Sequence, residues 1–252
     1  YIRQRWDCGD TVEIEEKHTG KYGARGQTRE KKRKATPEEI KKHNQWKRER
    51  DVRRLIKWNF RERDYWITLT YPKDYRPTWE EMKDHAGKLV RKMREKYKKQ
   101  GWTLKYIYRL AIGSRGGRHI HILINRESNE KTATDLIITD LWEQQWGHGH
   151  VNFRTTYSEG GYKQLAEYLT KPLEEWEPDE VKRYHPSRNL IRKDPEVDEI
   201  KRRSLVDRDG KPRMPKAPKG YYVDPESIEV GINPITHYAY RHYTLIKIKK
   251  RE

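Results

Sequence analysis

The chain has 252 residues, 33% hydrophobic and 38% charged, enough for a compact core with polar extensions but too little to fill a single globule throughout. No run approaches the ~20 apolar residues of a membrane helix, and a single cysteine, Cys8, excludes an intramolecular disulfide and a cysteine zinc site. Lys and Arg outnumber Asp and Glu by 57 to 39, a net +18 that points to a polyanionic partner, nucleic acid first. The aromatics agree: 17 Tyr and 9 Trp against 2 Phe favour rings that stack on bases while their polar ends stay wet.

The first 59 residues read as a basic N-terminal arm and helix. Gly20, Gly23 and Gly26 mark a loop, and Lys31, Lys32, Arg33 and Lys34 form a run suited to phosphate contact. Thr36-Pro37-Glu38-Glu39 is a capping box, so a helix is expected from there to about Trp58. Residues 64–71 alternate and are β-branched or aromatic, which predicts a strand with Ile67, Leu69 and Tyr71 on one face and Trp66, Thr68 and Thr70 on the other. A second capping box, Thr78 to Glu81, opens a helix that carries Met82, Ala86, Leu89, Met93 and Tyr97 inward and ends at Gly101.

Residues 104–112 and 118–125 read as a hairpin about the turn Gly113-Ser114-Arg115-Gly116-Gly117. A helix follows over about 131–146, with Leu136, Ile137, Leu141 and Trp142 inside; then a short strand over 148–154 and a helix over 162–171, stopped by Pro172. The order strand, helix, hairpin, helix, strand, helix predicts an α+β fold with an antiparallel sheet. Residues 60–175 form the expected catalytic domain. Residues 176–252, charged and rich in proline, read as a C-terminal extension packing on it, with a final strand over 238–248.

Chemistry concentrates at two places. His119-Ile120-His121 lies mid-strand, so both imidazoles share a face, where they can bind one divalent metal; surface strands also carry such pairs. Tyr168-Leu169-Thr170-Lys171 lies at a helix end, where positions i and i+3 are neighbours. A phenol with a pKa near 10 is a poor nucleophile at neutral pH, an ammonium stabilises its phenolate, and a metal opposite polarises a phosphodiester. Together they describe transesterification, with Tyr168 displacing a 3′-oxygen and staying linked to the 5′-phosphate.

These motifs resemble those of the HUH endonucleases of the rolling-circle replication initiator type, from bacterial phages and plasmids. Trp66-Ile67-Thr68-Leu69-Thr70-Tyr71-Pro72 is similar to their first motif, His119-Ile120-His121 to the His-hydrophobic-His motif, and Tyr168-Leu169-Thr170-Lys171 to the Tyr-x-x-Lys nucleophile motif. Ser187-Arg188-Asn189-Leu190 resembles a segment that follows this domain in phage initiators. The resemblance implies a HUH, ferredoxin-like, central five-stranded antiparallel sheet flanked by helices. It implies Mg²⁺ or Mn²⁺ at His119 and His121, catalysis by Tyr168 and Lys171, and single-stranded or cruciform origin DNA as substrate, with Arg115 and Arg118 among the DNA contacts. It also implies a host helicase and DNA polymerase as partners, and a bacterial cytoplasm as the site of action, with no membrane.

Many relatives carry a third, acidic ligand on the strand before the His strand, near Leu110 or Ala111. No Asp or Glu occurs between Trp102 and Arg118. Gln164 and His150 are the alternatives, and Ala111 is the position where an acid is missing. Tyr162, six residues before Tyr168, falls on another helix face and is expected to be structural or to touch DNA. Two other readings stand beside the nickase: a non-catalytic origin-binding protein of the same fold, and a relaxase or transposase. No Gly-x-x-x-x-Gly-Lys-Ser/Thr phosphate loop is present, so the chain is not expected to unwind DNA by itself.

Overall fold

A computed structural model describes residues 1–19, 33–157, 159–178 and 181–248. In chain order the elements are β1 (Ile2–Asp7), β2 (Thr11–Lys17), α1 (Pro37–Asn59), β3 (Tyr65–Thr70), α2 (Trp79–Lys99), β4 (Tyr106–Ile112) and β5 (Arg118–Ile124). There follow α3 (Thr134–Thr139), which widens into a π-helical turn over Asp140–Gln145, then β6 (Val151–Thr155), α4 (Lys163–Thr170), β7 (His185–Pro186), β8 (Glu196–Glu199), β9 (Tyr221–Val223), β10 (Glu229–Ile232) and β11 (Ala239–Lys247). The chain divides into two compact units, one of residues 47–191 and one of residues 1–46 with 192–252. No described helix is long and apolar enough to cross a membrane.

The unit of residues 47–191 is built on a five-stranded sheet, β6-β3-β5-β4-β7, antiparallel throughout, with β5 at its centre. Alternation sends Ile67, Leu69, Ile120, Ile122, Tyr108 and Leu110 to one face, where they pack with Met82, Ala86, Leu89 and Met93 of α2 and with Ile137, Ile138 and Trp142. The α2 capping box forms as expected: Glu81 N–H donates to Thr78 Oγ1, and Glu81 Oε2 accepts from Thr78 N–H. The other face receives the C-terminal half of α1 and α4, through Val52, Leu55, Ile56, Ala166 and Leu169 against Ile107 and Leu123. The Ser187–Leu190 segment closes the β4 edge. Ser187 N–H donates to Tyr106 O at 2.8 Å, Asn189 donates to Leu104 O at 3.0 Å, and Leu190 enters the core.

Three local readings shift. Leu136 is exposed and Ile138 is buried in its place. The helix starts only at Thr134, so its inward stripe is Thr134, Ile137, Ile138 and Leu141. The strand expected from 148 starts at Val151, because Gly149 turns the chain at φ +132°. Tyr162 stands at φ +62° before α4, and Lys171 leaves the helix at ψ 136°.

The larger difference is at the ends. The N-terminal residues are not an arm. β1 and β2 form a hairpin in an antiparallel sheet of order β10-β11-β2-β1-β8, with β9 also on β11. Val12, Ile14, Tyr243 and Leu245 make its core. The domain boundaries expected at 59 and 175 accordingly fall instead near residues 46 and 191. Glu16 is wholly buried in this sheet, held by Arg3 at 2.8 Å and Arg241 at 2.5 Å. The expected strand over 238–248 is β11.

Candidate active site

Strand register builds the site. On one face of the sheet His121 stands between Thr68 and Arg109, and His119 between Thr70 and Ala111. The two imidazole centroids are 6.0 Å apart. His121 Nδ1 lies 3.1 Å from Thr68 Oγ1, a bond that orients the ring. His119 Nδ1 is buried and has no hydrogen-bond partner among the described residues. Its Nε2 faces the hairpin turn, where a Cβ on Gly117 would stand 3.1 Å away and one on Gly113 3.8 Å. Burial pushes both histidines below their ordinary range. For His121, burial with the neighbouring His119 and Arg109 brings it down to about 4, so at neutral pH both rings are uncharged and able to ligate.

α4 brings the phenol to this face. Ala166, Leu169 and Thr170 are buried, which turns Tyr168 to the rim at 37% exposure. Its ring meets His121 edge-on at 5.0 Å and Trp66 at 5.6 Å, while Trp66 stacks on His121 with planes 7° apart. Burial raises the Tyr168 phenol above its usual range; Arg109 opposes that shift and Glu177 adds to it.

Arg109 organises the helix end. It lies in β4, almost wholly buried, and its Cζ is 6.0 Å from the Tyr168 ring centroid. Its Nη1 donates to the carbonyls of Lys171 at 2.6 Å, Tyr168 at 3.3 Å and Leu169 at 3.4 Å, and its Nη2 to Pro172 O at 3.4 Å. These are the carbonyls a helix leaves without partners at its C-terminus. Glu177, buried beside it, pairs with Arg109 at 3.5 Å and accepts from Ile112 N–H at 3.1 Å and Glu174 N–H at 3.0 Å. The charge expected from Lys171 is placed differently: Lys171 lies past the end of α4 and its ammonium pairs with Glu174. Arg109 and Glu177 escaped sequence reasoning. The available signal was one arginine in the apolar strand Tyr-Ile-Tyr-Arg-Leu-Ala-Ile, at the position that registers with His121.

The remaining candidates spread out. Gln164 is exposed one turn before Tyr168, and His150 is 93% exposed, 3.9 Å from Glu143. Tyr162 is buried in the core beneath α4. Arg115 is exposed, whereas Arg118 is engaged with the carbonyls of Pro77 and Gly116. Arg33 is held by Glu39 at 2.7 Å, Lys34 is exposed, and Lys31 and Lys32 lie outside the described residues. Among the described residues, no three His, Cys, Asp or Glu side chains are grouped to hold a metal ion.

The stretch that builds this face has known kin. Residues 64–173 match the replication-associated protein ORF2 family. The matched segment opens one residue before β3 and closes just after Pro172, so it holds both histidines, Arg109, Tyr168 and Lys171. A replication-associated segment agrees with a Rep-type replication initiator. No curated protein and no solved structure matches the chain.

Proposed function

We propose that the protein is a metal-assisted tyrosine endonuclease that nicks and rejoins single-stranded DNA at a replication origin. The observation that carries this reading is the Tyr168 ring standing 5.0 Å from that of His121, with a buried guanidinium behind it, inside the replication-associated segment. Tyr168 Oη attacks phosphorus, an Oη–P bond forms, and the P–O3′ bond breaks. The DNA 3′ of the nick stays on the tyrosine through its 5′-phosphate, and the departing 3′-oxygen takes a proton to become the hydroxyl that primes synthesis. One ester replaces another, so the reverse step rejoins the strand without an energy source.

The residues fit a divalent cation, Mg²⁺ or Mn²⁺. His119 and His121 are neutral imidazoles on one face, and His119 Nδ1 is an orphaned buried atom. The cation, when bound, supplies Lewis-acid polarisation of the phosphate. Thr68 orients His121, Arg109 fixes the end of α4 and so the phenol, and Trp66 walls the site on one side. Host helicase and polymerase are the partners such an initiator needs.

A second reading, a DNA-binding initiator without cleavage, draws on Ala111, which stands beside His119 where an acidic ligand would complete the donor set. The experiment uses 3′-labelled single-stranded oligonucleotides tiled across the DNA that encodes the protein, with Mn²⁺. An SDS-resistant labelled band that Tyr168→Phe abolishes supports the nickase. Retained binding with no band in either protein supports the second reading.

A further inference from the structure

The outer side of α2 lies on the face of the sheet away from Tyr168, and its charges are sorted. Asp84 and Glu95 are taken by Lys88 and Lys92, each at 2.9 Å. Beside that neutralised flank runs a stripe of exposed cations, Lys83, Arg91, Arg94 and Lys98, at helical spacing. From Lys83 to Lys98 no acid falls on it. Gly87 occupies the one remaining stripe position, and its Cβ site has nothing within 4 Å, so the stripe is an open trough there.

The stripe continues round the edge of the sheet. His185 of β7 is lowered by burial, then by Lys182 and by Lys83, which puts those two cations on either side of one ring. Lys182 is exposed, and the next residue, Arg183, donates to Thr170 O at 3.0 Å, at the end of the Tyr168 helix. A line of positive charge therefore runs from α2 over β7 to the nucleophile's helix. At about 1.5 Å per residue the α2 stripe spans ~22 Å, the length of roughly six base pairs at ~3.4 Å each.

We infer that this stripe is a second nucleic-acid surface, one that holds the duplex flanking the single-stranded segment. Separated cations along a rigid helix match the regular phosphates of a duplex, whereas the aromatic rings that hold unpaired bases cluster on the Tyr168 face. The inference takes from the proposed function only that the substrate is DNA.

The test compares the full chain with Lys83→Gln/Arg91→Gln/Arg94→Gln/Lys98→Gln, and with Lys88→Gln/Lys92→Gln as a control on the other flank. Two probes are titrated by fluorescence anisotropy over a salt series: a hairpin with a single-stranded tail, and an unstructured strand of equal length. The stripe variant is expected to bind the hairpin about tenfold or more weakly, with the slope of log K against log salt reduced by about three. Its affinity for the unstructured strand should stay within about twofold, as should the control's for both probes. Unchanged hairpin binding, equal loss on both probes, or equal loss in the control would each overturn the inference. Tyr168→Phe keeps the surface distinct from the chemistry: a duplex-specific loss in the stripe variant stands even where no protein forms a covalent adduct.

Discussion

Arg109 donates to the main-chain carbonyl of Tyr168 and places its guanidinium carbon 6.0 Å from the centre of the same residue's ring. One buried cation thus holds the helix that carries the phenol and sets the charge beside it. The same arginine registers with His121 across the sheet, so a single β4 residue ties the two halves of the site together.

Arg109→Met should therefore lower both stability and cleavage. It leaves Glu177 buried without its cation, a loss of about 3–5 kcal/mol. The double variant Arg109→Met/Glu177→Gln should recover a good part of the stability and none of the cleavage. Urea denaturation and adduct yield measure the two. Full recovery of cleavage in the double variant would show that Arg109 merely balances Glu177.

Adding the absent acid tests the metal reading. Ala111→Glu puts a carboxylate beside His119 and should tighten Mn²⁺ binding on the order of tenfold, read by titration calorimetry. Unchanged affinity and unchanged adduct yield together would remove Ala111 from the account.

Stability should fall as pH drops from about 6.5 to about 4. His121 and His148 are each pushed down to about 4, His148 by burial first and then by His85, whose ring lies 4.1 Å away, and by Lys88. An unfolded histidine takes up its proton near 6.5. Through this window the unfolded state binds more protons, so stability is present above it and is lost on acidification. Stepwise urea midpoints should show the decline, and His148→Gln should make it shallower. An identical slope in the variant would contradict the assignment.

Gly149 is the joint between β3 and β6. It sits at φ +132°, and a Cβ there would collide with Thr70 O and come within 3.0 Å of Tyr71 Cα. Gly149→Ala should cost roughly 1–3 kcal/mol, measurable as a lower denaturation midpoint. A neutral substitution would mean that this turn rearranges freely.

What was legible in the sequence is what local physics dictates. Alternation over 65–70 and 118–124 placed the two histidines on one face and the isoleucines on the other, and the Thr78–Glu81 capping box set the start of α2. Hidden features depend on distant partners. β2 carries Glu13, Glu15 and Glu16 inside, so its pattern does not look like a core strand, and its neighbour β11 lies more than 200 residues away. Arg109 looks like a charge in the wrong strand until the carbonyls of α4 arrive to meet it. Lys171 was placed beside Tyr168 on the assumption that the helix continues, and it stops one residue short.

The central claim is that Tyr168 Oη forms the bond to DNA. The direct measurement is tandem mass spectrometry of the nuclease-trimmed adduct formed on single-stranded DNA with Mn²⁺. The account predicts one nucleotide-bearing peptide, modified at Tyr168. Modification at Tyr162 or any other residue, or no modified peptide from a protein that still cleaves, would contradict it.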